Sequence, residues 1–285
     1  MKQLTEQQLK DNYLKLRQLV TDTFEGDRLT NLNKMYDDLE DRVIIAPASG
    51  KEEYHYCHVG GYVEHVLHVV DTARKMSDLF EVAGGVVEWT DEELVFAALH
   101  HDLGKVGDLE EEHYVPQDND WRVKNLGEIY ISNTDIQNMR APERGLYLLQ
   151  HYGVVCSLNE TLGIKLADGL YDEANEYYLK VFDSRKSLKN RLPYILHWAD
   201  HMSTVAEYDE WRFGQKKESA KVQKSVSKIK EAVDTEVKKS LLNQLTRKIY
   251  LTNYLGRQRN DLFSNSIYSL DFSWELCYIQ PYKKN

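Results

Sequence analysis

The sequence has few cysteines, and they are widely spaced. Cys57, Cys156 and Cys277 are the only three among 285 residues. An odd number of distant cysteines excludes a disulfide framework, and the lack of a CxxC pair argues against a structural zinc site. Because disulfides are characteristic of oxidising compartments, we expect this protein to work in a reducing cytoplasm.

Long apolar segments are also missing. No stretch approaches the roughly 20 apolar residues of a membrane-spanning helix, so we expect no membrane association. The first residues, MKQLTEQQLKDNYLKLRQLV, are polar and amphipathic and lack the apolar core of a secretion signal. The chain shows no internal repeat and no low-complexity tract. With 42% hydrophobic and 29% charged residues, it is expected to fold as a soluble protein.

Charge is distributed unevenly along the chain. Residues 1–214 carry 22 basic and 39 acidic side chains, whereas residues 215–285 carry 14 basic and 7 acidic ones. The acidic body argues against general coating of nucleic acid. The basic C-terminal segment leaves a nucleic-acid or acidic partner open.

Helical periodicity dominates the sequence. Apolar spacing, capping residues and turn residues predict helices at 4–23, 29–41, from Gly60-Gly61 to about Leu79, from Asp91 to about His101, and at 142–152, 157–167, 173–182 and 190–211. In HYVPQDNDWRVK, turn residues separate two short strand-like segments and predict a β-hairpin between Glu111 and Tyr130. We therefore predict an all-α fold, a helical bundle with a small β-hairpin insertion.

The C-terminal region has a different pattern. From Ser219 to about Leu251, apolar residues recur every three or four positions and predict a long helix with a packed or coiled-coil-like seam. An aromatic-rich tail follows. We divide the chain into N-terminal helices that pack on the core (1–44), a main domain (45–212) and a basic helical extension with its tail (213–285). The long helix favours homo-oligomerisation or packing over nucleic-acid binding.

All ten histidines lie between His55 and His201. Within this window, His65 lies in GGYVEHVLHVV, His101 and Asp102 end the apolar run of ALHHDLGKVGD, and Asp200 lies in LPYILHWADHMS. Two imidazoles and two carboxylates make a mixed nitrogen and oxygen donor set. Such a set suits one divalent ion, with Mn²⁺ favoured and Mg²⁺, Fe²⁺, Co²⁺ or Ni²⁺ as alternatives.

The order His, His-Asp, Asp resembles the signature of the HD-domain metal-dependent phosphohydrolase superfamily. LHHDLGKVG resembles its central motif, and APASGKEEYHYCHVGGYVEHVLHVVDTA resembles the entry helix of a branch that includes bacteriophage HD hydrolases. The HD module of bacterial 3′–5′ exoribonucleases is also similar. The resemblance covers about residues 45–212 and continues through RGLYLLQHYGV and LADGLYDEANEYY. It implies a helical bundle of the HD-domain, phosphodiesterase-like type. If the protein is phage-encoded, the resemblance also implies that it works in the host cytoplasm.

The resemblance implies a role for each matching residue. The metal ligands would be His65, His101, Asp102 and Asp200. Catalytic roles are predicted for Lys105, His68 and Asp168, and substrate contacts for His55, Arg140, Arg144, Tyr171 and Asp172. Several branches of the superfamily bind a second metal through histidines between the HD pair and the last aspartate. Only His113, His151 and His197 lie in that interval here, and RAPERG and KLADGL, near where such ligands would be expected, contain no histidine, so we predict a single metal ion.

Simpler interpretations remain open for several of these residues. His68 could be a satisfied core histidine, and His100 could cap or pack its helix rather than join the site. Lys105 could be a cation at a helix C-terminus, and Arg140 and Arg144 could be solvated.

Three functions compete at this point. The first is hydrolysis of a phosphate ester of a nucleotide or related small molecule by a metal-activated water. The second is a 3′–5′ exonuclease or phosphodiesterase acting on single-stranded nucleic acid or a cyclic nucleotide. The third is a non-catalytic HD scaffold.

Overall fold

The computed structural model describes residues 3–181 and 183–213. This part of the chain contains ten α-helices: α1 Glu6–Thr23, α2 Gly26–Asp38, α3 Glu40–Ile45, α4 Gly61–Val82, α5 Asp91–His100, α6 Asp120–Leu126, α7 Ala141–His151, α8 Leu158–Lys165, α9 Glu176–Leu179 and α10 Leu192–Phe213. Short 3₁₀ turns occupy Leu103–Val106, Gly169–Tyr171 and Glu173–Asn175. None of the helices among these residues combines the length and apolar character needed to cross a bilayer.

Two strands form the β-structure of the described residues. β1 (Tyr114–Pro116) pairs antiparallel with β2 (Tyr130–Ser132), with Val115 opposite Ile131. The prediction of an all-α fold with a small β-hairpin is therefore confirmed. The predicted long helix at 219–251 and the aromatic tail lie outside the described residues.

The hairpin differs from its prediction in one respect. The second strand-like segment, WRVK, belongs to α6, and the partner strand lies farther along the chain. The side chain of Asn119 accepts hydrogen bonds from the backbone N–H groups of Trp121 and Arg122 and so starts a helix there. Gly127, with φ of 61°, ends it in the left-handed conformation.

Two predicted helices are divided or shortened. The helix predicted at 29–41 is two helices, α2 and α3, which meet at Leu39. The helix predicted at 173–182 is a 3₁₀ turn followed by the four-residue α9. The Asp172 side chain accepts from the Ala174 N–H and caps that turn, a local bond that competes with a longer α-helix.

Helix α4 occupies the centre of the core. It packs against α5 on one side and α10 on another, and α1 and α3 also contact it. The contact surfaces are apolar and fully buried, with Val66 and Val69 from α4, Leu99 from α5 and Leu196 from α10. Burying each such side chain contributes roughly 1.5–3 kcal/mol. The fold thus holds α4, α5 and α10 in fixed positions relative to one another.

The starts of these helices are determined by local sequence. Thr90 and Glu93 form a capping box at the start of α5. Gly60, with φ of 81°, precedes α4, and a side chain at Gly61 would overlap with the carbonyl oxygen of Tyr56. The GG pair is thus needed to bring the loop that carries His55 close to α4.

Candidate metal centre

Four side chains from three helical segments meet in the interior. His65 comes from the first turns of α4, His101 and Asp102 follow directly after α5, and Asp200 lies in the middle of α10. His65 Nε2 is 3.6 Å from Asp102 Oδ2 and 3.2 Å from Asp200 Oδ1. His101 Nε2 is 3.6 Å from each of the same two oxygens. The structure therefore brings together the four residues predicted as ligands.

Two overlapping groups of side chains in the described part of the chain could hold a metal ion. One is His65, His101 and Asp200, and the other is His55, His65 and Asp102. In each group the candidate ligand atoms lie within 4.8 Å of one another. The donors are imidazole nitrogens and carboxylate oxygens, a set suited to a divalent transition metal.

The hydrogen bonds of the two imidazoles leave the same ring nitrogen available. His101 Nδ1 donates to the Ala98 carbonyl at 2.8 Å, and His65 Nδ1 donates to Glu207 Oε2 at 2.9 Å. Within the described residues, Nε2 of each ring is buried and has no hydrogen-bond partner. A buried polar atom without a partner is costly, whereas a metal-bound histidine typically donates its other N–H in this way. The geometry fits a metal ion held through both Nε2 atoms.

The electrostatics of the centre favour a cation. Burial alone would lower the pKa of His65, but the charge of Glu207 and the contact with Asp200 raise it to about 10. Burial would raise the pKa of Asp200, yet His101 and His65 hold it well below its usual range. These shifts show that the carboxylates create a negative potential at the two imidazoles.

Lys105 lies beside this group in the 3₁₀ turn that follows Asp102. Its Nζ is 2.6 Å from Asp102 Oδ2 and 3.4 Å from His55 Nε2. Burial would lower the pKa of Lys105, but Asp102 raises it above its usual range. Burial, together with the charge of Lys105, lowers the pKa of His55 to about 3. A charged lysine and a neutral histidine thus lie at the edge of the cluster.

Glu207 is a neighbour of the cluster that the sequence analysis did not single out. Its carboxylate is 1% exposed and also accepts from His68 Nδ1 at 2.7 Å. His68 is one turn along α4 from His65, with its side chain 34% exposed. The signal that would have identified Glu207 is its position seven residues after Asp200, on the same face of α10. His68 is therefore adjacent to the cluster, and its catalytic role stays a prediction.

A cavity of about 320 Å³ opens next to Asp200 and is lined by Asp168, Tyr171, His197, Asp200, His201 and Thr204. Tyr171 OH lies 3.3 Å from His201 Nδ1. Burial and the charge of Asp102 raise the pKa of Asp168. Of the lining residues, the sequence analysis predicted Asp168, Tyr171 and Asp200 as site residues and missed His197, His201 and Thr204. Both histidines lie one turn or less from Asp200 on α10.

Arg140 and Asp172 form an ion pair with each other. This pair joins the start of α7 to the turn before α9, and neither residue lines the cavity beside Asp200. The two residues are brought together, but their predicted contact with substrate stays a prediction.

Arg144 is buried, with 2% of its surface exposed, so the alternative that it is solvated is wrong. Its guanidinium donates to the carbonyl oxygens of Gly104 and Gln137 at 3.0 Å each and lies 3.1 Å from His113 Nδ1. These bonds fasten α7 to the turn that carries Lys105. Both terminal nitrogens therefore already have protein partners, and a phosphate contact by Arg144 stays a prediction.

His100 is a core residue although it adjoins His101. Its Nδ1 donates to the Phe96 carbonyl at 2.7 Å, and its Nε2 accepts from Tyr36 OH at 3.1 Å. The ring is fully buried. Both nitrogens are satisfied within the fold, which agrees with the packing interpretation.

Comparisons of the chain with protein-family models, with curated proteins and with solved structures found no match. The chemistry of the centre is therefore inferred from its own side chains.

Proposed function

We propose that this protein is a divalent-metal-dependent phosphohydrolase of the HD-domain superfamily that hydrolyses a phosphate ester of a nucleotide or a related small molecule. One observation carries the proposal. The Nε2 atoms of His65 and His101, which make no hydrogen bond within the described residues, face the carboxylates of Asp102 and Asp200, with the Lys105 ammonium group alongside.

His65, His101, Asp102 and Asp200 would hold the ion. Mn²⁺ is our first choice for this mixed donor set, with Mg²⁺, Fe²⁺, Co²⁺ and Ni²⁺ as alternatives. A bound divalent ion supplies two things in such a site: it lowers the pKa of a coordinated water and it polarises a phosphoryl oxygen. The ammonium group of Lys105 lies between Asp102 and His55 of the second group, which supports one ion over two.

The surrounding residues would position the substrate. Hydrolysis adds a water oxygen to phosphorus and breaks the ester P–O bond, while the departing alkoxide takes up a proton. Negative charge spreads over the equatorial phosphoryl oxygens in this reaction. Lys105 would stabilise that charge, since its half-buried side chain places the ammonium group 2.6 Å from Asp102 Oδ2. The cavity beside Asp200 would receive the organic part of the ester, with Asp168 and Tyr171 available to hydroxyl groups.

The test is phosphate and nucleoside release from a substrate panel. The panel contains nucleoside mono-, di- and triphosphates, cyclic nucleotides and short 3′-labelled oligonucleotides, each assayed with Mn²⁺ and with chelator. We expect metal-dependent release by the wild type, loss of release in Asp102→Asn, and full release by Asp120→Asn. Asp120 is a matched control because its side chain is 92% exposed on α6.

The remaining results distinguish the competing functions. Preferred hydrolysis of oligonucleotides or cyclic nucleotides would replace the nucleotidase assignment with an exonuclease or phosphodiesterase. Oligonucleotide binding should then weaken steeply as salt rises. Bound Mn²⁺ without release from any ester would contradict hydrolysis and support the scaffold alternative.

A further inference from the structure

Glu207 joins two histidines in the interior of the protein. Its Oε2 lies 2.9 Å from His65 Nδ1, and its Oε1 lies 2.7 Å from His68 Nδ1. The carboxylate is almost entirely buried, so its negative charge would be costly without these two partners.

The bond to Glu207 determines which nitrogen of His65 carries a proton. An ionised carboxylate can only accept, so Nδ1 of His65 must be the donor. In the neutral ring, Nε2 then keeps its lone pair, and this atom faces Asp102 and Asp200. For His101 the backbone carbonyl of Ala98 has the same effect. The two imidazoles therefore donate to different acceptors. Nδ1 of His65 donates to the charged side chain of Glu207, and Nδ1 of His101 donates to the neutral backbone carbonyl of Ala98.

Glu207 also keeps the His65 ring from rotating. Both carboxylate oxygens lie close to Nδ1, at 2.9 and 3.2 Å, and Oε1 is held from the other side by His68. On the same helix, Ser203 Oγ donates to Thr72 Oγ1 of α4 at 3.0 Å. This hydrogen bond links α10, which carries Glu207, to α4, which carries His65.

We propose that Glu207 is the positioning residue of the metal centre, which holds His65 in its metal-binding tautomer and orientation and so sets the affinity for the ion. This inference rests on the proposed metal site, but it does not depend on which reaction the site performs. A carboxylate behind a ligating histidine makes the ring a stronger donor. Glu207 would touch neither substrate nor metal.

The test is a titration of the full chain with Mn²⁺ in the absence of substrate. Loss of a supporting residue of this kind typically weakens metal binding about 10–100-fold, and we expect Glu207→Ala to fall in that range. Glu207→Gln keeps an oxygen that can accept from His65 Nδ1 but loses the charge. It should therefore bind Mn²⁺ more tightly than Glu207→Ala and more weakly than the wild type. The matched control is Asp209, an exposed acidic residue two positions after Glu207 on α10. Asp209→Asn should bind Mn²⁺ as tightly as the wild type does.

A second measurement separates positioning from a general loss of structure. The ¹⁵N spectrum of histidine-labelled protein in chelator, recorded at a pH above the pKa of His65, reports the tautomer of each neutral ring. We expect His65 in a single tautomer with its proton on Nδ1 in the wild type and in Glu207→Gln, and a mixture in Glu207→Ala. His101, whose support is the Ala98 carbonyl, should keep its tautomer in all three proteins and serves as the internal control.

The outcomes of the Mn²⁺ titration and the ¹⁵N spectra can be distinguished from those of the phosphate-release assay. Wild-type Mn²⁺ affinity in both Glu207 variants would overturn the inference, as would an unchanged His65 tautomer in Glu207→Ala. If Glu207→Ala does not fold, Glu207→Gln alone decides, and unchanged affinity there overturns the inference. A wild type that binds Mn²⁺ but hydrolyses no ester would remove the proposed reaction and leave this inference intact. A wild type that binds no Mn²⁺ would remove both.

Discussion

The Lys105 ammonium nitrogen lies 2.6 Å from Asp102 Oδ2, at the junction of a candidate metal ligand and a candidate phosphate-binding group. Both side chains are nearly buried, with 17% and 6% of their surfaces exposed. Each therefore satisfies the charge of the other. The separate contributions of the two can be distinguished by removing one charge at a time.

Replacing Lys105 by methionine should separate catalysis from metal binding. The methionine fills the same space without the charge, so the four ligand side chains stay in place and Mn²⁺ binding should persist. Phosphate release should fall about 10²–10³-fold, the usual loss when one group that stabilises the transition-state charge is removed. Lys124→Met, at a lysine 75% exposed on α6, is the matched control. Undiminished release in Lys105→Met would show that the lysine only neutralises Asp102.

Metal should stabilise the folded protein. At a free Mn²⁺ concentration 100 times the dissociation constant, binding to the folded state adds about 2.7 kcal/mol to the free energy of unfolding. For a chain of this size we expect the melting temperature to rise by several degrees. Asp200→Asn should lose most of this rise, because it removes a charged ligand, whereas Asp209→Asn should keep it. Equal increases in melting temperature in both variants would show that the ion binds elsewhere.

His100 should matter for stability rather than for chemistry. His100→Ala removes a ring that is fully buried and leaves Tyr36 OH and the Phe96 carbonyl without their partner. We expect the free energy of unfolding, measured with urea in chelator, to fall by about 2–4 kcal/mol. His151→Ala, at an exposed position in the last turn of α7, should change it by less than about 0.5 kcal/mol. If His100→Ala left the free energy of unfolding nearly unchanged, the two buried hydrogen bonds of His100 would contribute little to stability.

The same residue predicts a pH dependence of stability. Burial lowers the pKa of His100 to about 3, from the ordinary value of 6.5. Below pH 6.5 the unfolded chain therefore binds a proton at this position that the folded chain does not, and stability falls as the pH falls. Between about pH 5.5 and about pH 4, this one group removes about 1.4 kcal/mol per pH unit. In chelator, His100→Gln should show a correspondingly shallower decline than the wild type, and parallel profiles would contradict the assignment.

Much of the centre was predictable because its signals are local. The glycine pair before α4, the Thr90 capping box and the apolar run that ends at His101 determine where α4 and α5 begin and end. Helical spacing then places His65 on the buried side of α4. That these residues meet was implied only by the resemblance to HD domains, because spacing along each helix does not show which helices pack together.

Other features depend on how helices cross, which spacing alone does not reveal. Glu207 is on the same face of α10 as Asp200, but its partners lie on α4, and only the contact between the two helices brings them within hydrogen-bonding distance. Arg144 looks like a surface cation of α7, yet the turn at Gly104 packs over it and uses its donors. Within the hairpin, the Asn119 cap overrides the strand-forming residues of WRVK.

The position of α10 at the end of the described chain has a consequence for biosynthesis. The first candidate ligand, His65, is synthesised long before Asp200 and Glu207, which both come from α10. A nascent chain that has not yet reached this helix has only part of the donor set, and its His65 lacks the carboxylate that orients it. Metal loading would therefore follow the completion of α10, and the ion would link helices that lie far apart in the sequence rather than guide early folding.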